Sequence, residues 1–139
     1  MADAAIKSLT RLRPDSGEAH IALARHLYWS SRDYYRAREE LKLAQKSLPN
    51  DSIGFFILAS IDRRQGRWAE STKNFERSVE LDPQNPGIFP QLPVTYVCLR
   101  RYADAQRVLD RAIALAPKDP TMRVHRDFIE LACSRRIRD

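Results

Sequence analysis

SIGFFILASIDRRQGRWAESTKNFERSVELDPQN, residues 52–85, is the stretch that decides the fold. Phe55, Leu58 and Ala59 recur at helical spacing in its first half, and Ser71, Phe75 and Ser78 do so in its second. Gly66 and Arg67 interrupt the two runs, which marks a turn between helices. Pro83 ends the second run, because its ring cannot continue the hydrogen-bond ladder. The unit is therefore a helical hairpin with one apolar side that it cannot bury alone.

Outward from this stretch, the same pattern returns on both sides. Pro49, Pro83 and Pro117 stand 34 residues apart, each followed by a polar pair: Asn50-Asp51, Gln84-Asn85 and Lys118-Asp119. Tyr34, Trp68 and Tyr102 share one column, and Ala37, Ser71 and Ala105 another. Leu41, Phe75 and Leu109 follow, then Ala44, Ser78 and Ala112. Ile21, Phe55 and Phe89 sit earlier, with Ala24, Leu58 and Leu92 three residues on. Small residues in the Ala37 column let two helices approach closely, and large aromatics fill the space that remains.

These columns resemble the tetratricopeptide repeat, a helical hairpin with a 34-residue period. The resemblance covers residues 18–119 as three full repeats: 18–51, 52–85 and 86–119. It implies an all-α, right-handed α-solenoid of antiparallel helix hairpins, read here as one domain over residues 1–139. Residues 1–17 are a half repeat and residues 120–139 a C-terminal capping helix in this reading. The spacing predicts helices over 2–12, 18–31, 34–47, 52–65, 68–81, 91–99, 102–115 and 120–136.

Two regions depart from the repeat. Pro90 and Pro93 fall where the family has an unbroken first helix, so that helix is expected to start late, with Pro93 near its first turn, or to kink. In the last helix, Arg123, Arg126, Asp127 and Glu130 occupy positions that would face a further repeat. Val124, Phe128 and Leu131 form an apolar stripe on another face, expected to be the buried side of a cap.

Composition agrees with a helical, globular chain. Of 139 residues, 43% are apolar and 30% charged, and only four are glycine. The +6 net charge is carried largely by arginine, which pairs readily along exposed helix faces. Arg63-Arg64 with Arg67, Arg100-Arg101, and Arg135-Arg136 with Arg138 are its clusters. Tyr34, Trp68 and Tyr102 belong to the packing column, leaving Trp29 for a partner, so nucleic-acid binding is disfavoured. Cys98 and Cys133 stand far apart without metal-ligand spacing and are expected to be reduced thiols. The N-terminus lacks a signal-peptide core, and the apolar run Ile53–Ala59 is too short to cross a bilayer. A cytoplasmic location without membrane insertion is the expectation.

Nothing in the sequence assembles catalytic, cofactor or metal chemistry. His20, His26 and His125 lack i,i+4 partners, and helix register gives no reason for Cys98 to meet His125. The reading is therefore of a protein that is not an enzyme, with no cofactor and no metal.

The resemblance implies a concave groove lined by the first helices of successive repeats. Its columns here are Ala22, Phe56 and Pro90; His26, Ser60 and Val94; and Trp29, Arg63 and Val97. Ile53, Arg64 and Cys98 flank them. A family subgroup grips the acidic tails of chaperones with lysine and asparagine, which this chain replaces with alanine, histidine, phenylalanine and serine. An apolar strip edged by Arg63 and Arg64 suits an amphipathic helix or an extended segment with apolar anchors and an acid. Similar arginine- and alanine-rich repeats occur in bacterial signalling proteins, which implies a scaffold segment of a larger protein. A self-associating structural module, forming a homo-oligomer, is the alternative.

Overall fold

The computed structural model describes residue 4, residues 15–85 and residues 87–136, with side chains of the last helix as far as Leu131. The predicted helix over 2–12 lies outside the described residues. The fold is all-α, built of helical repeats as in solenoids. It divides into two compact units, Met1–Leu81 and Asp82–Asp139.

The first unit contains two hairpins. Helix α1 (Gly17–His26) runs on as a π-helical turn, Leu27–Ser31, and returns as α2 (Tyr34–Ser47). Helix α3 (Ser52–Arg64) pairs with α4 (Trp68–Leu81). Local chemistry explains the helix starts. Ser16, Asp33 and Asp51 each accept a hydrogen bond from the backbone N–H three residues on, at 3.2, 3.0 and 2.7 Å. Gly17 is buried so tightly that an added Cβ would lie 2.5 Å from Ser47 Oγ and 2.7 Å from the Leu48 side chain.

The small columns do what their size suggests. Ala37, Ser71 and Ala105 are fully buried, as are Phe75 and Leu109. In the second hairpin the serines also satisfy the opposite helix: Ser71 Oγ donates to Ala59 O at 2.8 Å, and Ser78 Oγ to Ser52 O at 2.7 Å. A buried hydroxyl thus costs little, because it is paired. Asp62 ties three helices together. Its carboxylate accepts from Arg38 Nη2 of α2 at 2.7 Å and from Asn74 Nδ2 of α4 at 2.8 Å. Arg67 Nε stands 3.1 Å away.

The second unit holds α5 (Gln91–Cys98), α6 (Tyr102–Leu115) and α7 (Pro120–Arg136). Helix α5 starts late, as the prolines predict. Pro93 sits in its first turn, where its missing N–H would have had no intrahelical acceptor. Ile88 and Phe89 precede the helix in turns and are buried.

The last helix corrects the expectation from sequence. Its buried side is Met122 and Ile129, at 4% and 3% exposure, whereas Val124, Phe128 and Leu131 are 63%, 66% and 52% exposed. Two apolar stripes at helical spacing lie side by side on α7, and α6 takes the other one. Arg126 pairs with Glu130 as expected, at 3.2 Å, and also with Asp110 at 3.3 Å. Arg123 donates to Pro117 O at 2.8 Å.

Candidate partner-binding surface

In the first unit the anticipated residues fall on α1, its π turn and α3. Trp29 is 53% exposed. It stands edge-on to Tyr28 with centroids 4.5 Å apart, and the Arg25 guanidinium lies 5.7 Å from its ring. The π turn carries this residue: Asp33 N bonds back to Leu27 O, whereas the equivalent Arg67 N bonds to Asp62 O. One more residue is enclosed in the first case, which turns Trp29 relative to a regular helix. Ala22 and His26 are half-buried, and Ser30 Oγ lies 3.4 Å from His26 Nδ1.

On α3 the residues are less open than the sequence suggests. Ile53 and Phe56 pack against the core cluster that includes Leu27, Leu41, Ile57 and Ile61. Phe56 meets Phe75 edge-on at 5.6 Å. Ser60 is 3% exposed, and its hydroxyl donates to Phe56 O at 2.9 Å, so it presents nothing to a partner. Arg63 covers the Phe75 ring at 5.4 Å. Arg64 is exposed and hydrogen-bonded to the Tyr28 side chain. Arg63 is thus engaged with the Phe75 ring and Arg64 with the Tyr28 side chain, and of the two only Arg64 is exposed.

The second unit offers a better-formed site. Val94 is exposed, Val97 half-buried, and together with Pro93 and Cys98 they form one wall of a pocket of about 130 Å³. His125, Phe128 and Ile129 of α7 form the other. Cys98 and His125 therefore line one pocket, contrary to the expectation from helix register. The Cys98 thiol is free and exposed. His125 Nδ1 is buried, without a hydrogen-bond partner among the described residues.

Sequence reasoning missed His125 and Phe128, although the signal was present. Val124, Phe128 and Leu131 stand 34 residues after Pro90, Val94 and Val97. They continue the three lining columns into α7. Ile129 likewise extends the column of Leu27, Ile61 and Thr95, all of which are buried. The period extends one step further than its prolines advertise.

Among the described residues no group of three His, Cys, Asp or Glu side chains is placed to hold a metal ion. No helix among them is long and apolar enough to cross a membrane.

Comparison with known proteins agrees with this architecture. The family model described as "Tetratricopeptide repeat" matches residues 26–86. A Drosophila melanogaster protein, "BBSome complex member BBS4 homolog", is 25% identical over 95 residues, which is 68% of this chain and 20% of the relative. The chain thus spans about a fifth of that relative's length. The first tetratricopeptide domain of Spaghetti (RPAP3), solved with an HSP90 peptide, superposes with a TM-score of 0.74 at 14% identity, covering 85% of this chain and 95% of that one. The Yersinia enterocolitica secretion chaperone SycD, solved with a YopD peptide, gives 0.71 at 18% identity, with coverages of 83% and 92%. At these identities the two structures establish the fold alone. The 34-residue columns, the buried small positions and the family match agree that residues 26–86 carry tetratricopeptide repeats.

Proposed function

We propose that the chain is a protein-interaction scaffold, a cytoplasmic segment of a larger signalling or assembly protein, which binds a peptide or helix of a partner on the face of its first helices. The observation that carries this reading is the apolar pocket between α5 and α7, continuous in sequence period with the exposed residues Val124, Phe128 and Leu131. Large apolar groups held in solvent on one helical face mark an interaction surface. The peptide complexes of the Spaghetti and SycD structures support it by analogy of fold.

Within the site first read from sequence, Trp29, Val94 and Val97 are the anchors best placed to meet a partner, with Arg64 as the solvent-facing cation. Ala22, His26, Ile53, Phe56 and Arg63 support the surface, and Ser60 drops out. The test is affinity capture from nuclease-treated source lysate, with wild type compared to Trp29→Ser and Val94→Asp. Circular dichroism checks that both variants fold. A protein retained by wild type and lost by a folded variant supports the reading. Equal capture by all three, or no capture, rejects it.

The exposed stripe on α7 also favours a second reading, self-association through Val124, Phe128 and Leu131. Light scattering over a concentration series separates the two: a mass that rises with concentration and falls back in Phe128→Ser indicates an oligomer.

A further inference from the structure

By the 34-residue period, α7 occupies the place of a first helix, and the junction beneath it has a counterpart two repeats earlier. Between the first two hairpins, Ile21, Leu41, Ala44, Leu48, Gly54 and Phe55 line a gap of about 10 Å³. Two repeats on, the same positions are Phe89, Leu109, Ala112, Ala116, Met122 and Arg123. Here the gap is about 100 Å³. Met122 adds bulk where the earlier junction has Gly54, but Ala116 removes it where Leu48 stands. The exposed Arg123, turned to the Pro117 carbonyl at 2.8 Å, does not take the place of Phe55. Helix α7 also borders the pocket of about 130 Å³ that it shares with α5. Two voids of this size leave the helix short of the dispersion contacts that close packing supplies.

What holds α7 down is correspondingly small. As far as Leu131, its buried residues are Met122 and Ile129 alone, while Val124, Phe128 and Leu131 stay exposed. The Arg126–Asp110 pair to α6 is 44% and 56% exposed, and an ion pair in solvent contributes little. His125 Nδ1 is buried without a hydrogen-bond partner among the described residues, a penalty that water removes once the helix lifts.

We propose that α7 is a releasable strap: the whole helix lifts from α5 and α6 in a local transition while those helices stay folded, and the small side chain of Ala116 sets how readily it does so. Release uncovers the apolar surface beneath Met122 and Ile129 and dismantles the α5–α7 pocket, and it needs no partner to occur. Elements that move in function come from the low-stability end of a structure, and few buried apolar groups are the mark of that end.

The experiment is native-state hydrogen exchange on the full chain, read residue by residue by NMR. Amides from Val124 to Leu131 lie past the first turn, whose N–H groups have no intrahelical acceptor. They are expected to share one protection factor, about 100-fold or more below those of α3 and α6. Ala116→Leu fills the void and should slow α7 exchange about ten-fold. Met122→Ala removes one of the two anchors and should quicken it at least about ten-fold.

Protection in α7 equal to that in α6 overturns the strap, because the two helices then open together. Protection that falls steadily from Val124 to Leu131 also overturns it, as ordinary fraying of a helix end. A lowered unfolding midpoint in Ala116→Leu marks overpacking of the site, and Met122→Ala then decides: unchanged α7 exchange in that variant overturns the strap. Uniform low protection, raised by Ala116→Leu or lowered further by Met122→Ala, supports it.

Discussion

Arg32, Gly66 and Arg100 occupy the same place in three hairpin turns, and all three have left-handed backbone, with φ of 53°, 74° and 61°. The requirement comes from how α3 and α5 end. Gly66 N bonds to Arg63 O at 3.1 Å and Arg67 N to Asp62 O at 2.8 Å; Arg100 N and Arg101 N repeat the pattern on Val97 O and Tyr96 O, at 2.9 and 2.8 Å. This closing motif needs positive φ, which glycine adopts freely and a Cβ-bearing residue at a cost of roughly 1–2 kcal/mol. Gly66→Ala is therefore expected to lose about 1 kcal/mol, and Arg100→Gly to gain up to about 1 kcal/mol, in urea unfolding. Losing stability in Arg100→Gly would show that its side chain contributes more than the strain costs.

Carboxylates separate at the same scale. Hydrogen bonds from Arg101 and then Arg107 hold the Asp104 carboxyl below its usual range, and Thr121 does the same for Asp119. Burial pushes the Asp62 carboxyl up, against the hydrogen bond from Asn74. A depressed acid stabilises the fold above its unfolded value of about 4, and that stability disappears as pH falls through its lower folded value. A carboxyl carbon NMR titration from about pH 6 to about pH 2 should find Asp62 protonating before Asp104 and Asp119. Asp104 titrating with or before Asp62 would contradict the assigned hydrogen bonds.

At the scale of the element, α7 shows how a helix with two apolar stripes is oriented. Met122 and Ile129 turn inward, and Val124, Phe128 and Leu131 turn out. Ile129→Ala is accordingly expected to cost about 2–4 kcal/mol, while Phe128→Ser stays within about 0.5 kcal/mol of wild type. The measurement is thermal or urea unfolding of both variants. A reversed order would restore the stripe to the cap's inner face and remove the pocket. The π turn after α1 is the other element-scale feature. Its tyrosine, tryptophan and serines carry no sequence mark distinguishing them from an ordinary helix end.

For the whole molecule, the issue is what its positive charge does. The +6 charge is distributed over arginines that pair locally: Arg38 and Arg67 with Asp62, Arg77 with Glu80, Arg101 and Arg107 with Asp104, and Arg126 with Asp110 and Glu130. Such pairs disperse the positive charge without removing the +6 excess, and an apolar partner surface has few counterions to release. Partner affinity is expected to change less than about three-fold between about 50 and 200 mM salt, by fluorescence anisotropy of a labelled bound peptide. A fall of a hundred-fold or more would assign the binding to the arginines.

The sequence by itself determined the repeat and its chemistry. Prolines 34 residues apart, small residues facing aromatics and polar pairs at the helix starts are local requirements of a hairpin. They placed α2, α4, α6 and α7 at the same bounds as observed, and α1 with its π turn, α3 and α5 to within a residue. The late start of α5 was equally legible, because proline's missing N–H acts within one turn. Which face each helix buries was decided only by tertiary packing. Phe56, Ser60 and Arg63 sit at lining positions of the repeat, yet contacts with Phe75 and with their own helix draw them inward. On α7 the periodicity fits both stripes, and the choice fell to whichever met α6. That choice brought His125 and Phe128 to Val94 and Cys98, residues about 30 positions apart in sequence that share a pocket only through the fold.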